Sequence, residues 1–189
     1  MSKAVLISIR PKWCGKIASG EKTIEVRKTR PKLETPFKCY IYCTQNKHLA
    51  FMQNQTGTNL IACMDVETAI PVGGFVGNGK VIGEFTCDRI YKIDKDSVDF
   101  IFTSDHGGYS VYKKAAEECC GLCVAMPDNE LFDYLGHRQG YGWHISDLKI
   151  YDKPKALEAF TGLRDTKFGA APYEIKRAPQ NWCYVEELK

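Results

Sequence analysis

The sequence predicts an α+β protein in which a small mixed β-barrel carries a few flanking helices. Short runs rich in β-branched and aromatic residues recur along the whole chain, at 4–9, 38–44, 80–93 and 182–186. Gly83 inside one run marks a bulge or a close backbone approach, and a change of alternation phase between Ile145 and Leu148 marks a bulge of the kind that curves a sheet. Helical signals are confined to short segments between these runs.

Each element has a local reason. Residues 4–9 are a compact apolar run and predict a buried first strand. Pro11 opens a helix where its missing N–H is no loss, and Trp13 and Ile17 give that helix an apolar stripe down to Ser19. Gly20 suits the left-handed position that ends a helix, and alternation from Lys22 to Lys28 predicts the second strand. Arg30-Pro31-Lys32 and Thr35-Pro36 break regular structure before the third strand at 38–44. Residues 45–79, dominated by Asn, Gln, Thr and Gly, read as a long irregular insertion in which only 60–66 resembles a strand or short helix. Residues 80–93 carry the longest strand signal, 109–119 and 129–135 read as helices with Gly136 as a stop, and 142–151 return to strand. Asp152 then caps a short helix with Pro154 in its first turn, running to about Phe160, and a polar stretch leads to a last strand at 182–186. The expectation is a single domain over 1–189, with 152–189 as a C-terminal extension.

A chain of 189 residues can bury a sizeable core, and 44% hydrophobic with 26% charged residues is an ordinary globular composition. Residues 1–10 hold too few apolar side chains for a signal-peptide core or a bilayer span, and no other stretch is a membrane candidate. Nine cysteines, an odd number, read as reduced thiols of a cytoplasmic protein rather than a disulfide framework. The net charge of +3 is unevenly spread. Residues 1–40 hold ten Lys/Arg against three Glu, a balance of +7, and the remaining 149 residues balance to −4. A basic end on a near-neutral body suits an anionic partner, phosphate backbones foremost, or a solvated lysine-rich surface.

The residues that could carry chemistry cluster in the second strand. Ile24 and Val26 point one way, into a core; Thr23, Glu25 and Arg27 point the other, towards solvent or a cleft. Arg27 offers a planar fork for phosphate or carboxylate. Lys22 is a phosphate contact, an ion-pair partner or a base, and Glu25 either activates water or pairs with Arg27. Arg10, Lys12 and Lys16 flank Trp13, a pattern that suits single-stranded nucleic acid or, equally, a core tryptophan among solvated cations. Trp143 and His144 point to opposite faces of their strand, so at most one lines a cleft; Tyr141 carries less weight. Cys119, Cys120 and Cys123, with His106 and His137 on either side, lack the second close pair of a zinc knuckle, and no metal is expected. Ser104-Asp105-His106 is not read as a triad, because triads are assembled in space.

Gly20-Glu21-Lys22-Thr23-Ile24-Glu25-Val26-Arg27 matches the G-x-K-x-x-E-x-R signature, and in it the chain resembles the ASCH domain family of the PUA-like superfamily. Leu6 to Trp13 resembles the family's first strand and helix start. Lys80 to Phe85 is similar to a later barrel strand, Tyr141 to Leu148 with Tyr151 to Pro154 to the closing strand and turn, and Ala178 to Val185 to the tail of small bacterial and prophage members. The resemblance implies a PUA-like small mixed β-barrel with flanking helices, and RNA or nucleotide-like ligand binding in a cleft beside the signature strand. It also implies a rival: some members are hydrolases, acting as ribonucleases or removing the acetyl group of N4-acetylcytidine with a Lys–Thr–Glu set. Glu25 stands where that set has its nucleophilic threonine, and a carboxylate is a poor replacement for a hydroxyl in acyl transfer. The expected site is therefore Arg10, Lys12, Trp13, Lys22, Glu25, Arg27 and Trp143 for RNA or a nucleoside ligand. Lys22 and Glu25 are the catalytic pair if there is one. No cofactor and no membrane partner are expected.

Overall fold

An unbroken apolar run can be a strand only where both of its faces are covered. A computed structural model describes residues 2–63, 73–93, 102–103, 109–110, 128–136 and 138–188. In chain order its elements are β1 (Lys3–Ile9), α1 (Pro11–Ala18), β2 (Ile24–Arg27), β3 (Phe37–Cys43), β4 (Leu49–Gln53), β5 (Asn59–Cys63), β6 (Phe75–Val76), β7 (Lys80–Cys87), β8 (Ile90–Ile93), β9 (Phe102–Thr103), β10 (Tyr109–Ser110), α2 (Asp128–Leu135), β11 (Gly140–His144), β12 (Ser146–Lys155), β13 (Thr161–Thr166), β14 (Gly169–Glu174) and β15 (Trp182–Glu186), with a 3-10 turn at Leu157–Ala159. They pack as two compact units. The first is Met1–Ser19, Phe37–Phe85 and Asp147–Lys189; the second is Gly20–Pro36 and Thr86–Ser146. No helix of the described residues is long and apolar enough to cross a membrane.

The main sheet has seven strands in the order β12-β7-β3-β1-β15-β13-β14. The apolar run β1 lies near its middle, parallel to β3 and antiparallel to β15. On one face Ala4 and Leu6 join Tyr40, Tyr42, Val81, Phe160 and Val185 in a buried core. Among the described residues the sheet is open, and the closed barrel expected from the sequence is not formed by these pairings. Both end strands contain a proline, Pro154 in β12 and Pro172 in β14, which cannot donate a ladder hydrogen bond. Bulges curve open sheets and barrels alike, so the sequence pattern does not distinguish the two.

Other expectations are met or revised. Gly20, just past α1, has φ 80°, the left-handed conformation its position requires. A Cβ at Gly83 would lie 2.5 Å from the Lys149 carbonyl oxygen, so the strand glycine marks a close backbone approach. The expected phase change after Ile145 is a break between β11 and β12, with Asp147 at φ 48°. The segment expected to be an irregular insertion contains a three-stranded sheet, β5-β4-β6. Its polar residues make the turns: Asn54 Oδ1 accepts from the Thr56 and Thr58 amides, and Asn78 Oδ1 accepts from the Phe51 amide. The helix expected from Asp152 to Phe160 is replaced by the end of β12 and the 3-10 turn, since Pro154 on an edge strand forfeits no ladder bond. The polar stretch after it is the hairpin β13–β14. Tyr109 and Ser110, expected to start a helix, pair with β9, and 111–119 lie outside the described residues.

A polar cluster on the first unit's sheet links three strands. Tyr151 donates to Glu84 Oε2 at 2.5 Å, and Lys38 donates to Glu84 Oε1 at 3.1 Å. Burial pushes the Glu84 carboxyl up, but these two hydrogen bonds, together with the Lys38 and Lys149 charges, outweigh it and hold the group below its ordinary value of 4.5. A carboxylate that titrates lower when folded stabilises the protein fully above the unfolded value, and that contribution is lost as the pH falls through the folded one. Glu84→Gln is therefore expected to lower the unfolding free energy by about 1–2 kcal/mol at neutral pH. In urea titrations its deficit against the unsubstituted protein should shrink as the pH falls below 4.5.

Candidate functional site

The second strand of the chain is short, and its neighbours fix what its side chains meet. β2 pairs antiparallel with β11, setting Ile24 opposite His144, Glu25 opposite Trp143, Val26 opposite Gly142 and Arg27 opposite Tyr141. β11 pairs in turn with β8, where Trp143 faces Ile90 and Tyr141 faces Lys92. Period-two geometry puts Glu25, Arg27, Tyr141, Trp143, Ile90 and Lys92 on one face of this sheet. Ile24, Val26, His144 and Ile93 share the other.

The charged face differs from the sequence expectation. Glu25 and Arg27 were expected to face solvent or a cleft, yet all four residues of β2 are buried. Lys22 is 2% exposed, Glu25 5% and Arg27 7%. Arg27 Nη2 lies 2.8 Å from Glu25 Oε1, and Lys22 Nζ lies 3.6 Å from Glu25 Oε2. One carboxylate is thus held between two cations, each contacting a different oxygen. The alternation of this strand sorts apolar from charged side chains, and both sets lie inside the protein. Trp143 is also fully buried, so its ring is not a stacking surface. Ordering this sheet are hydrogen bonds from the Ile145 amide to the Thr23 carbonyl and from the His144 amide to the Arg89 carbonyl.

The remaining candidates belong to the first unit, at the start of α1. Arg10 and Lys12 are exposed, Trp13 is half-buried, and the Lys12 ammonium lies 4.6 Å from the centre of the Trp13 ring. Cys119, Cys120, Cys123, His106, His137, Ser104 and Asp105 lie outside the described residues. Among the described residues no group of three or more His, Cys, Asp or Glu is placed to hold a metal ion.

One polar pair had no sequence signal. His144 Nδ1 lies 2.6 Å from Asp88 Oδ1, a contact across 56 residues that only the β8–β11 pairing brings about. The neighbouring Cys87 is no nucleophile: burial pushes its thiol up to about 12, which keeps it protonated at neutral pH.

No protein-family model matches this sequence, and no curated protein matches it. Among solved structures, the chain is similar to the ASCH protein of Zymomonas mobilis, with a TM-score of 0.49 and 14% identity over 97% of this chain and 88% of that one. A mutant form of the same protein gives a TM-score of 0.47 and 15% identity over 97% of this chain and 89% of that one.

Removing one member of a buried ion set leaves a partner charged in a poorly solvated place, a loss of about 3–5 kcal/mol. Arg27→Ala is expected to reduce the unfolding free energy by that amount in chemical denaturation. A loss near zero would mean that Glu25 is solvated without Arg27.

Proposed function

We propose that this protein binds RNA or a nucleotide-like ligand, as a single-domain PUA-like protein of the cytoplasm. The observation that carries the reading is the balance of +7 over residues 1–40, with Arg10 and Lys12 exposed at the start of α1 and Lys12 lying over Trp13. Cations interleaved with an aromatic ring suit a single strand, whose phosphates and bases are both accessible. The match to the G-x-K-x-x-E-x-R signature supports the same reading. A nucleotide-like ligand beside β2 is placed there by the resemblance alone, since Lys22, Glu25 and Arg27 lie buried in that strand's neighbourhood as a paired ion set.

Binding should weaken with salt. With three or four phosphate contacts to a single strand, affinity for a fluorescein-labelled oligoribonucleotide should fall roughly 20- to 50-fold between 50 and 200 mM salt. The double variant Arg10→Ala with Lys12→Ala should flatten that dependence. Salt-indifferent binding, or no binding to any RNA tried, removes the proposal.

A hydrolase acting on RNA or N4-acetylcytidine is the second reading, favoured by one observation: Lys22 and Glu25 form a close charged pair almost out of reach of water. Such a setting strengthens electrostatic interaction with a bound substrate. On this reading the purified protein releases acetate from N4-acetylcytidine or cleaves single-stranded RNA, and Lys22→Ala abolishes turnover. Turnover that survives the substitution clears Lys22 of a catalytic role.

A further inference from the structure

The residues that follow β2 make a surface of a different kind. After the buried Arg27, the exposed Lys28 and Arg30 each lie over an aromatic ring of the same unit. The Lys28 ammonium is 5.2 Å from the centre of the Tyr134 ring, and the Arg30 guanidinium is 5.9 Å from that of Tyr141. Tyr141 sits on the sheet face between Arg27 on β2 and the exposed Lys92 on β8. Gln139 Nε2 donates to its hydroxyl at 3.1 Å, which helps to fix the ring. Tyr134 is 37% exposed and Tyr141 half-buried.

We propose that Tyr141, Arg30 and Lys92, extended by Lys28 and Tyr134, form a base-stacking surface for single-stranded RNA; this deepens the RNA-binding reading and rests on it. A base inserted between the Tyr141 ring and the Arg30 guanidinium needs two contacts of about 3.5 Å, roughly 7 Å in all. The present separation of 5.9 Å is about 1 Å short, and Arg30 is exposed and able to give that distance. Lys92, opposite Tyr141 in the β8–β11 pairing, and the exposed Lys28 are then the phosphate contacts. Glu130 and Asp133 are exposed on the same helix as Tyr134, which disfavours phosphate at that end and makes Tyr141 the centre of the surface. A duplex, whose bases are already stacked on one another, cannot use such a slot.

The test is fluorescence anisotropy with a labelled twelve-nucleotide oligouridine, a duplex of the same length and unlabelled polyglutamate as competitor. Tyr141→Leu should weaken oligouridine binding about tenfold or more, the loss of one stacked base, and Tyr141→Phe should leave it unchanged. The double variant Lys28→Ala with Lys92→Ala should lower the slope of log affinity against log salt by about 1.4, two phosphate contacts on a single strand. Tyr134→Ala, on the surface of α2, should weaken binding less than Tyr141→Leu and serves if the latter does not fold. The surface is overturned if the unsubstituted protein binds oligouridine and Tyr141→Leu, Tyr134→Ala and the double lysine variant bind it equally well. It is likewise overturned if the duplex binds as tightly as the single strand, or if polyglutamate displaces oligouridine at equal charge. If the unsubstituted protein binds no RNA, the wider reading fails and the surface with it.

Discussion

A carboxylate taken out of water must be neutralised where it lies, and Glu25 is the residue on which that constraint falls. Its idealised desolvation is of order 20 kcal/mol at an interior dielectric near 4, several kcal/mol after relaxation. Arg27 and Lys22 meet the requirement by taking one oxygen each. The arrangement needs Glu25 and Arg27 on one face of β2, and Lys22 three residues before Glu25. It also needs β11 alongside, because Trp143 and Tyr141 occupy the adjoining positions on that face. The signature residues are thus a structural unit first, and any ligand they meet must fit a site already charged and already paired.

The Lys38–Glu84–Tyr151 cluster of the first unit shows the same chemistry with more water. Side-chain exposure of 32% for Lys38 and 22% for Glu84 leaves solvent to share the charge, so the carboxylate there needs one cation and one hydroxyl rather than two cations. Burial and the Glu84 carboxylate together push the Tyr151 phenol up, which keeps it a donor at neutral pH. Three exposed cations form a third category. Among the described residues, Lys12, Lys28 and Arg30 lie over aromatic rings rather than beside carboxylates. A cation over a ring keeps its full charge for a partner, whereas one bound to a carboxylate does not. The protein therefore keeps its closed ion set and its open cationic surfaces on different residues.

Local sterics and the hydrophobic pattern were enough to read several elements directly. The apolar run 4–9, the helix opened by Pro11, the left-handed Gly20, the helix halted by Gly136 and the strand 182–186 each follow from neighbours in sequence. The identity of Lys22, Glu25 and Arg27 as a set was legible as well, since their spacing puts the last two on one face of any strand. Tertiary structure alone decided that this face is buried, because alternation separates two faces and says nothing of what covers either. It also decided that Asp152 to Lys155 extends an edge strand instead of capping a helix, that the Asn- and Gln-rich segment pairs into a sheet, and that Tyr141 rather than Trp143 is the accessible ring. Each of these depends on a partner strand or an edge far away in sequence, and pairing across such distances is a global choice that no local window contains.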